Sequence, residues 1–567
     1  MSDLPDVVSL TEIAVLTGVS PAAVSNWRRR HHDFPLPVRG SSPPAFPSEQ
    51  VLAWLDERPV PSSNLAPGED VSTTYADRVR AGPAGRRTTA STDKNATTGD
   101  GPAEEPLEAV WWRLSDALQG EEPPTRTDIL ASLFYTKATD PNGWRRIVEA
   151  VRRREPAAVG VGLTAVWGDL PDAPEWLRRL TGDRTGESLA PVVMTVVETL
   201  DRIGWESADE VGHTGSPASA RIFSHLLRVA ESHVRSSTAV MTPAGVAHTM
   251  AALVDPDPGA SVYDPCCRAG DLLAAVADTM RRHEDARAGS SFTGLSLTGR
   301  SQRLATMNLA LHDVTADLGH GPADALHDDV HQARHFDVIV TNPPFNMAWH
   351  PDDGRSRTHW RYAAPPRHSA NFAWMQHVAE KLAPGGHAAI LMPTNAGMSE
   401  SLPEQQIRSG LLRDDLVEGL VALPAQLFAG TAIPVTLWLL HRAPRRRPGH
   451  VLFLDATDLG TMISRTQRSL SPAEIDTITS TFDRWRQGHD VDAAGWAQAV
   501  PAERLLSTGA WLNPRAQVEV ARPHAGHTPI QEVVRRHSDQ LHRLMERAHA
   551  LDITIEERLA GLTTWRH

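Results

Sequence analysis

The chain has 567 residues, 41% of them hydrophobic, and a formal net charge of −13 at pH 7. This length predicts three or four folded units, and the negative charge argues against a protein whose whole surface binds nucleic acid. The two cysteines are adjacent, at Cys266 and Cys267, which excludes a disulfide framework or a four-cysteine zinc site and favours a reducing cytoplasm. No apolar run has the length of a membrane span or an export signal, so no membrane association is expected.

Changes in composition divide the chain into an N-terminal domain, a linker, a helical domain, an α/β domain, its extension and a C-terminal helix. Their predicted bounds are, in that order, 1–60, 61–105, 106–238, 239–445, 446–528 and 529–567. The linker is predicted to be disordered because its Pro, Ser, Thr, Gly and Ala residues offer too little apolar surface to offset the entropy of ordering. In the helical domain, helices are predicted at 107–118, 126–135, 143–153 and 221–234.

Short β-rich runs alternate with helical patterns in the α/β domain, which is typical of a largely parallel sheet. The six predicted strands cover 261–263, 292–295, 336–340, 387–391, 416–421 and 435–440.

Residues 10–30 predict two short helices joined by a tight turn. Gly18 permits the left-handed conformation of a helix end, Ser20 can cap the second helix, and Pro21 fits its first turn. A small shared core is expected from Ile13, Leu16, Val19, Val24 and Trp27. Contacts to DNA are expected from Ser20, Ala22, Ala23, Asn26, Arg28 and Arg29.

This segment resembles the helix-turn-helix of mercury-resistance-type regulators and phage excisionases. The resemblance implies a short wing and then a further helix, placed at 46–55. The alternative is an ordinary helical hairpin whose arginines are solvated.

The most specific motif is Asn-Pro-Pro-Phe at Asn342 to Phe345, directly after a predicted strand. Pro343 and Pro344 fix the backbone and remove two donors, so the turn presents carbonyl groups outward. An exocyclic amine such as adenine N6 is a poor nucleophile because its lone pair is delocalised into the ring. Acceptance of its two hydrogens by the Asn342 side-chain oxygen and the Pro343 carbonyl favours a more pyramidal nitrogen. Phe345 offers a stacking face for a base turned out of the duplex. A simple turn without chemistry is the alternative.

A second motif lies at the end of the first predicted strand, from Asp264 to Leu272. It resembles the Asp-Pro-x-Cys-Gly-x-Gly-x-Leu loop that holds S-adenosylmethionine, in which glycines let backbone amides approach the cofactor at the start of a helix. Thr242 and Pro243 resemble the Tyr-Thr-Pro segment that closes over the methionine end of this cofactor.

These motifs occur in an order that resembles the modification subunit of type I restriction–modification systems over residues 220–520. Further matching segments are Arg303–Leu309, Leu382–Gly386, Leu427–Pro434 and Gly509–Pro514. The resemblance implies a Rossmann-like class I methyltransferase domain that methylates adenine N6 in DNA, with separate specificity and restriction subunits as partners. The cofactor contacts that it implies are Thr242, Pro243, Asp264, Pro265, Cys266, Gly270, Leu272, Ser296, Asp324 and Asn342.

Two positions depart from the family pattern. Arg268 replaces the first loop glycine, and Ser296 stands where an acidic residue usually holds the cofactor ribose. Loss of a charged hydrogen bond there costs about 1.5–3 kcal/mol of binding. These departures support an alternative: a methyltransferase-like DNA-binding protein with weakened or lost catalysis. Methylation of a protein glutamine would use the same turn.

Three remaining features give weaker indications. No metal site is expected from the histidine-rich region, and these side chains are predicted to be solvated: His312, His320, His327, His331 and His335. The basic run 445–447 is interpreted as a surface loop, with a DNA contact as the alternative. The C-terminal helix is expected to pack against a partner or against the protein's own core.

Overall fold

The structure is a computed structural model, and its described residues form two compact units, Met1–Ala103 and Glu104–His567. It describes residues 7–17, 24, 27–28, 33–38, 45–58, 60, 73–81, 114, 118, 121–167, 176–177, 189–202, 217–231, 241–281, 289–348, 360–428, 433–443, 447–464, 467–518, 535, 538, 542 and 545–546. Most of the predicted helix at 107–118 lies outside this set, as do residues 445 and 446 of the basic run 445–447. Within the predicted C-terminal segment, the described residues 535, 538, 542, 545 and 546 are helical and exposed.

In the described part of the first unit, helices pack against a short strand pair. Its elements are β1 Val7–Ser9, α1 Leu10–Thr17, β2 Ala45–Pro47, α2 Ser48–Asp56 and α3 Tyr75–Ala81. β1 and β2 pair in antiparallel fashion, with Val8 opposite Phe46. The core contains the predicted Ile13 and Val24, both buried, with Leu16 and Trp27 packed against it.

Two predictions for this unit need correction. Phe46 lies in β2 and is fully buried, so the helix predicted from Phe46 begins only at Ser48. The predicted linker contains α3, whose Tyr75 ring lies 4.9 Å from that of Trp27. Val79 is also buried, so a few apolar residues anchor a helix within a polar stretch. The rest of 61–105 lies outside the described residues, apart from residues 73 and 74.

The second unit begins with helices that share one hydrophobic cluster. They are α4 Pro123–Thr139, α5 Pro141–Arg152, α6 Pro156–Trp167, α7 Ala190–Asp201 and α8 Ala218–Glu231. The helices predicted at 126–135, 143–153 and 221–234 correspond to α4, α5 and α8. Asp140 caps α5 by accepting a 2.8 Å hydrogen bond from the backbone nitrogen of Gly143. α6 and α7 were missed, and α6 is apolar nearly all round, so no helical period marks it.

A mixed sheet forms the centre of this unit. Its strands are β3 Ser261–Asp264, β4 Ser291–Gly294, β5 Ala316–Asp317, β6 Phe336–Thr341, β7 Leu382–Pro393, β8 Val417–Ala422, β9 Val435–His441, β10 His450–Asp455 and β13 Ala497–Pro501. Two further strands, β11 Thr461–Met462 and β12 Arg468–Ser469, form a separate hairpin between β10 and β13. Over the described residues the order is β13-β10-β8-β9-β7-β6-β3-β4-β5. β9 is antiparallel to both of its neighbours and β13 to β10, whereas the other pairs are parallel. The predicted mostly parallel sheet is therefore confirmed.

The helices of this region are α9 Ala244–Val254, α10 Asp271–Met280, α11 Gly299–Leu311, α12 Asn371–Lys381, α13 Leu402–Arg413, α14 Pro472–Arg486, α15 Ala502–Ser507 and α16 Pro514–Gln517. Three of them, α10, α11 and α12, are the crossovers between the paired parallel strands β3 and β4, β4 and β5, and β6 and β7. β3 lies between β4 and β6: the chain runs from β3 to β4 and β5 on one side and then crosses back to β6 on the other. Such a switch point opens a crevice outside the carboxyl ends of the strands, where α/β proteins bind their ligands.

Glu418 is a charged residue within the buried strand β8. Arg486 of α14 donates to both of its carboxylate oxygens, over 3.1 and 2.7 Å. Glu418, His387 and His441 place one potential metal-ligand atom each within 4.8 Å of one another, although the arginine already engages the carboxylate. None of the described helices combines the length and the apolar composition that a membrane crossing requires.

Candidate active site

Two hydrogen bonds join three of the predicted site segments at the carboxyl edge of the sheet. Asn342 follows β6 directly and is buried, and its Nδ2 atom donates to Oγ1 of Thr242 over 3.2 Å. The backbone nitrogen of Thr242 donates to Oδ2 of Asp271 over 2.8 Å. Asp271 opens α10 at the end of the loop that follows β3. The structure thus brings the Asn-Pro-Pro-Phe turn, the Thr-Pro segment and the loop after β3 together.

Residues 265–270 form the β3–α10 loop, which starts from a buried carboxylate. Oδ1 of Asp264 accepts a 2.9 Å hydrogen bond from the backbone nitrogen of Cys266. Oδ2 of Asp264 and the hydroxyl of Thr341 are both buried, and the Thr341 side chain favours the ionised form of this carboxylate. Burial raises the pKa of Asp264 to about 7, and it raises the pKa of the Cys266 thiol to about 11. The Cys266 side chain lies in a hydrophobic core cluster, where burial disfavours its thiolate form.

The backbone of this loop is left-handed at two positions. Gly270, at the N-cap of α10, has a φ of 75°, and a Cβ there would lie 2.9 Å from Cγ of Leu309. Arg268 has a φ of 48°, a conformation that costs a residue with a side chain about 1–2 kcal/mol. Gly294 lets the loop approach β4, because a Cβ there would lie 2.7 Å from Sγ of Cys267.

The remaining predicted cofactor residues line the same edge. Ser296 is buried, and its hydroxyl donates to the Arg268 carbonyl over 3.3 Å. The backbone nitrogen of Ala323 donates to the Ser296 carbonyl over 2.9 Å, which places Asp324 beside it. The Asp324 carboxylate accepts from the backbone nitrogen of Leu326 over 2.9 Å and contacts Nδ1 of His327 at 2.8 Å. Of the other predicted residues, Pro243 follows Thr242 and Pro265 begins the β3–α10 loop. Leu272 lies in the hydrophobic core.

Phe345 is half-buried at the end of the turn. Its ring stands edge to face with that of Phe428, with centroids 6.4 Å apart. The next residue, Asn346, exchanges two hydrogen bonds with the Asn371 side chain, over 3.0 and 2.9 Å. The turn is therefore fixed to the first residue of α12, and the plane of the Phe345 ring is set by its neighbour.

Comparison with known families decides what this site belongs to. The model of the N-6 DNA methylase family matches residues 220–524, a range that contains the turn, the Thr-Pro segment and the β3–α10 loop. The chain belongs to the N-6 DNA methylase family.

Relatives of this methylase agree with the family match. It is 30% identical over 340 residues to the type I restriction enzyme HindI methylase subunit of Haemophilus influenzae, covering 59% of this chain and 76% of that protein. It is 31% identical over 320 residues to the type I restriction enzyme MjaIX methylase subunit of Methanocaldococcus jannaschii, covering 54% and 56%. A type I restriction-modification system methyltransferase subunit from Streptococcus thermophilus has a TM-score of 0.59 and 20% identity, covering 73% of this chain and 99% of that chain, which supports the fold.

Sequence reasoning missed several residues of the methylase site. Asp271 and Phe428 lie in segments that the family resemblance covered, but only the structure shows their contacts with Thr242 and Phe345. The prediction that His312 is solvated is wrong, because it is 4% exposed and bonded to side chains distant in sequence.

Of the predicted DNA-binding residues, only Arg28 is described. It is exposed, with its guanidinium 5.7 Å from the Phe46 ring centroid. Ser20, Ala22, Ala23, Asn26 and Arg29 lie outside the described residues.

Proposed function

We propose that this chain transfers a methyl group from S-adenosylmethionine to N6 of adenine in DNA, as the modification subunit of a type I restriction–modification system. The observation that carries this proposal is the position of the Asn-Pro-Pro-Phe turn. Asn342 leaves the central strand β6 and is bonded through Thr242 to the start of α10, beside the β3–α10 loop.

Asn342 is oriented to accept hydrogens from an amine. Its Nδ2 atom is committed to Thr242, so Oδ1 is the atom that can accept from the adenine amino group. The Pro343 carbonyl supplies a second acceptor because proline rigidly sets the turn. With both N6 hydrogens held, the nitrogen lone pair is less delocalised into the ring and becomes a better nucleophile. The proton that N6 loses after transfer passes to water, because the two amide oxygens accept hydrogen bonds but are too weakly basic to bind a proton.

The residues around Asp264 fit the cofactor. The buried carboxylate of Asp264 is an acceptor that the Thr341 hydroxyl already approaches, and the amino group of S-adenosylmethionine would supply it with a charged donor. Thr242, Gly270 and Ser296 surround the same loop, and Asp324 lies next to Ser296. S-adenosylmethionine carries a methyl group already activated on a sulfonium, so the protein needs to contribute only position and electrostatics.

A base must leave the duplex to reach Asn342, because N6 of a paired adenine is engaged in the helix. Phe345 offers a ring on which the extruded base can stack, and the edge-to-face contact with Phe428 fixes the orientation of that ring. This arrangement favours a planar substrate over a glutamine side chain, which has no aromatic face.

Recognition of the DNA sequence is assigned to a partner specificity subunit, and cleavage to a restriction subunit. The relatives at 30% and 31% identity are named as methylase subunits of type I restriction enzymes, which supports this assignment. We infer in addition that the first unit binds DNA through the helix-turn-helix predicted at 10–30. Because α3 belongs to that unit's core, removal of residues 1–103 is the suitable truncation, and it should lower DNA affinity while sparing cofactor affinity. Unchanged DNA affinity would refute a DNA-binding role for this unit.

Transfer of radiolabelled methyl groups tests the proposed reaction. The purified chain with its specificity subunit is incubated with labelled S-adenosylmethionine and DNA, and the DNA is digested to nucleosides. We expect the label in N6-methyl-2′-deoxyadenosine. Label in methylated cytosine, or only in protein, would overturn the proposal.

A further inference from the structure

A chain of hydrogen bonds reaches the β3–α10 loop from the helical side of the second unit. Asn308 of α11 donates from Nδ2 to the Ala269 carbonyl over 2.9 Å. Ser224 of α8 bonds Oδ1 of Asn308 at 3.0 Å and lies 3.2 Å from Nε2 of His312. Nδ1 of His312 lies 3.2 Å from Oδ1 of Asp278 on α10. We call Asn308, Ser224, His312 and Asp278 the Asn308 relay.

The donors and acceptors of the Asn308 relay fix its direction. A carbonyl oxygen only accepts, so the amide of Asn308 must place Nδ2 toward Ala269 and Oδ1 toward Ser224. The single hydroxyl hydrogen of Ser224 then points to Oδ1, and its lone pairs face His312. Asp278 holds the imidazole ring from the other side. Loss of Ser224 therefore removes the hydrogen bond that Oδ1 of Asn308 accepts, and loss of Asn308 removes the one that the Ala269 carbonyl accepts.

Burial increases the contribution of the relay's hydrogen bonds to the stability of the loop. Asn308 is fully buried, and His312 and Asp278 are 4% and 6% exposed. Arg281 also donates to the His312 carbonyl, which fixes the backbone that carries the imidazole. Hydrogen bonds in such surroundings are strong when satisfied, and an unpaired polar group is correspondingly costly.

The β3–α10 loop needs external support because its backbone is strained. Ala269 lies between two left-handed residues, Arg268 with a φ of 48° and Gly270 with a φ of 75°. The carbonyl of Arg268 accepts from Ser296, and the carbonyl of Ala269 accepts from Asn308. Two consecutive carbonyls are thus held by side chains of other elements, and this orientation also sets the direction of the amides that follow them.

We propose that the Asn308 relay positions the β3–α10 loop for S-adenosylmethionine, with Asn308 as the positioning residue and Ser224 as its support from α8. The proposal rests on the proposed function and deepens it. Asn308 contacts the loop and not the reacting atoms, so its loss changes cofactor affinity while the chemical step at saturating cofactor stays intact.

Calorimetric titration of the full chain with S-adenosylmethionine tests the relay. Asn308→Asp keeps the shape but cannot donate to the Ala269 carbonyl, and we expect binding to weaken by about tenfold to a hundredfold. Ser224→Ala removes the supporting hydroxyl and should weaken binding by about threefold to tenfold. Ser224→Thr keeps the hydroxyl and should restore the affinity.

A matched control is Ser132→Ala on α4. Ser132 is buried, whereas Ser224 is half-buried, and the Ser132 hydroxyl donates over 2.5 Å to the Asp128 carbonyl of its own helix, so the substitution should not change cofactor affinity. In methyl-transfer assays, the relay variants should raise KM for S-adenosylmethionine while kcat and KM for DNA stay as in the wild type.

The outcomes separate this inference from the proposed function. If the wild-type chain binds S-adenosylmethionine and both N308D and S224A bind it equally well, the relay has only a structural role and the inference is overturned, even if the variants unfold at lower temperature. If the wild-type chain shows no binding, the proposed function and the inference are overturned together.

Discussion

Asp264→Asn tests how the β3–α10 loop recognises its cofactor. Burial raises the pKa of Asp264 to about 7, so the group changes charge near neutral pH. Its carboxylate is buried with only the neutral Thr341 hydroxyl and the Cys266 backbone nitrogen as donors in the described part of the chain, and is suited to an ammonium donor. Only the ionised carboxylate attracts such a donor strongly. The affinity for S-adenosylmethionine should therefore rise as the pH increases through 7.

The size of this effect follows from linkage. For binding to the ionised form alone, the dissociation constant scales with one plus the ratio of protonated to ionised Asp264. With the pKa of Asp264 at about 7, the constant at about pH 5.5 exceeds that at about pH 7.5 by ~25-fold, or ~1.9 kcal/mol. Burial also raises the pKa of Asp271, which acts in the same direction.

Isothermal titration calorimetry of the full chain at these two pH values measures how the affinity for S-adenosylmethionine changes with pH. The D264N variant should bind weakly at both and lose most of the pH dependence. Asp337→Asn is the control, because Asp337 is exposed at the opposite end of β6, where it accepts from Ser261, and this variant should keep the slope. Equal wild-type affinity at both pH values, or a wild-type slope in D264N, would refute the reasoning.

Three further substitutions have defined outcomes. Asn342→Ala should lower kcat for methyl transfer by at least about 100-fold and cofactor affinity much less, which single-turnover kinetics can check. Arg486→Met leaves Glu418 buried without its arginine, beside His387 and His441, and should lower the free energy of unfolding by about 3–5 kcal/mol in denaturant titrations, a loss that the E418Q/R486M double variant largely recovers. Burial opposes ionisation of Glu418, but Arg486 holds its pKa well below its usual range, so this stabilisation is present above about pH 4.5 and is lost as the pH falls. Arg268→Gly relieves the left-handed strain and should raise the free energy of unfolding by about 1–2 kcal/mol, while S-adenosylmethionine binding persists. If R268G binds S-adenosylmethionine and the wild type does not, the wild-type pocket is degenerate.

The central strands were predictable because they are buried on both faces. The observed β6, β8 and β9 differ by no more than one residue at either end from the predicted runs 336–340, 416–421 and 435–440. Strands covered on both sides read as continuous apolar runs, which periodicity arguments detect well. β7 begins at Leu382, five residues before its predicted start, because Leu382 pairs with Phe336 ahead of a register shift.

Contacts between segments distant in sequence could not be predicted. The motifs located the turn, the Thr-Pro segment and the β3–α10 loop, but not the bonds that join them. Ser224 and His312 are 88 positions apart, and Arg486 and Glu418 are 68 apart, so no local pattern relates them. The spacing of the histidines predicted that all of them are solvated, whereas packing of α8, α10 and α11 buries His312.

Single-molecule sequencing of host DNA tests the central claim most directly. Cells lacking other adenine methylases would express the chain with its specificity subunit, either as the wild type or as Asn342→Ala. We predict N6-methyladenine at one defined DNA sequence with the wild type and none with N342A. Absence of N6-methyladenine from the wild-type cells, although the purified chain binds S-adenosylmethionine, would contradict the assignment as an active adenine methyltransferase.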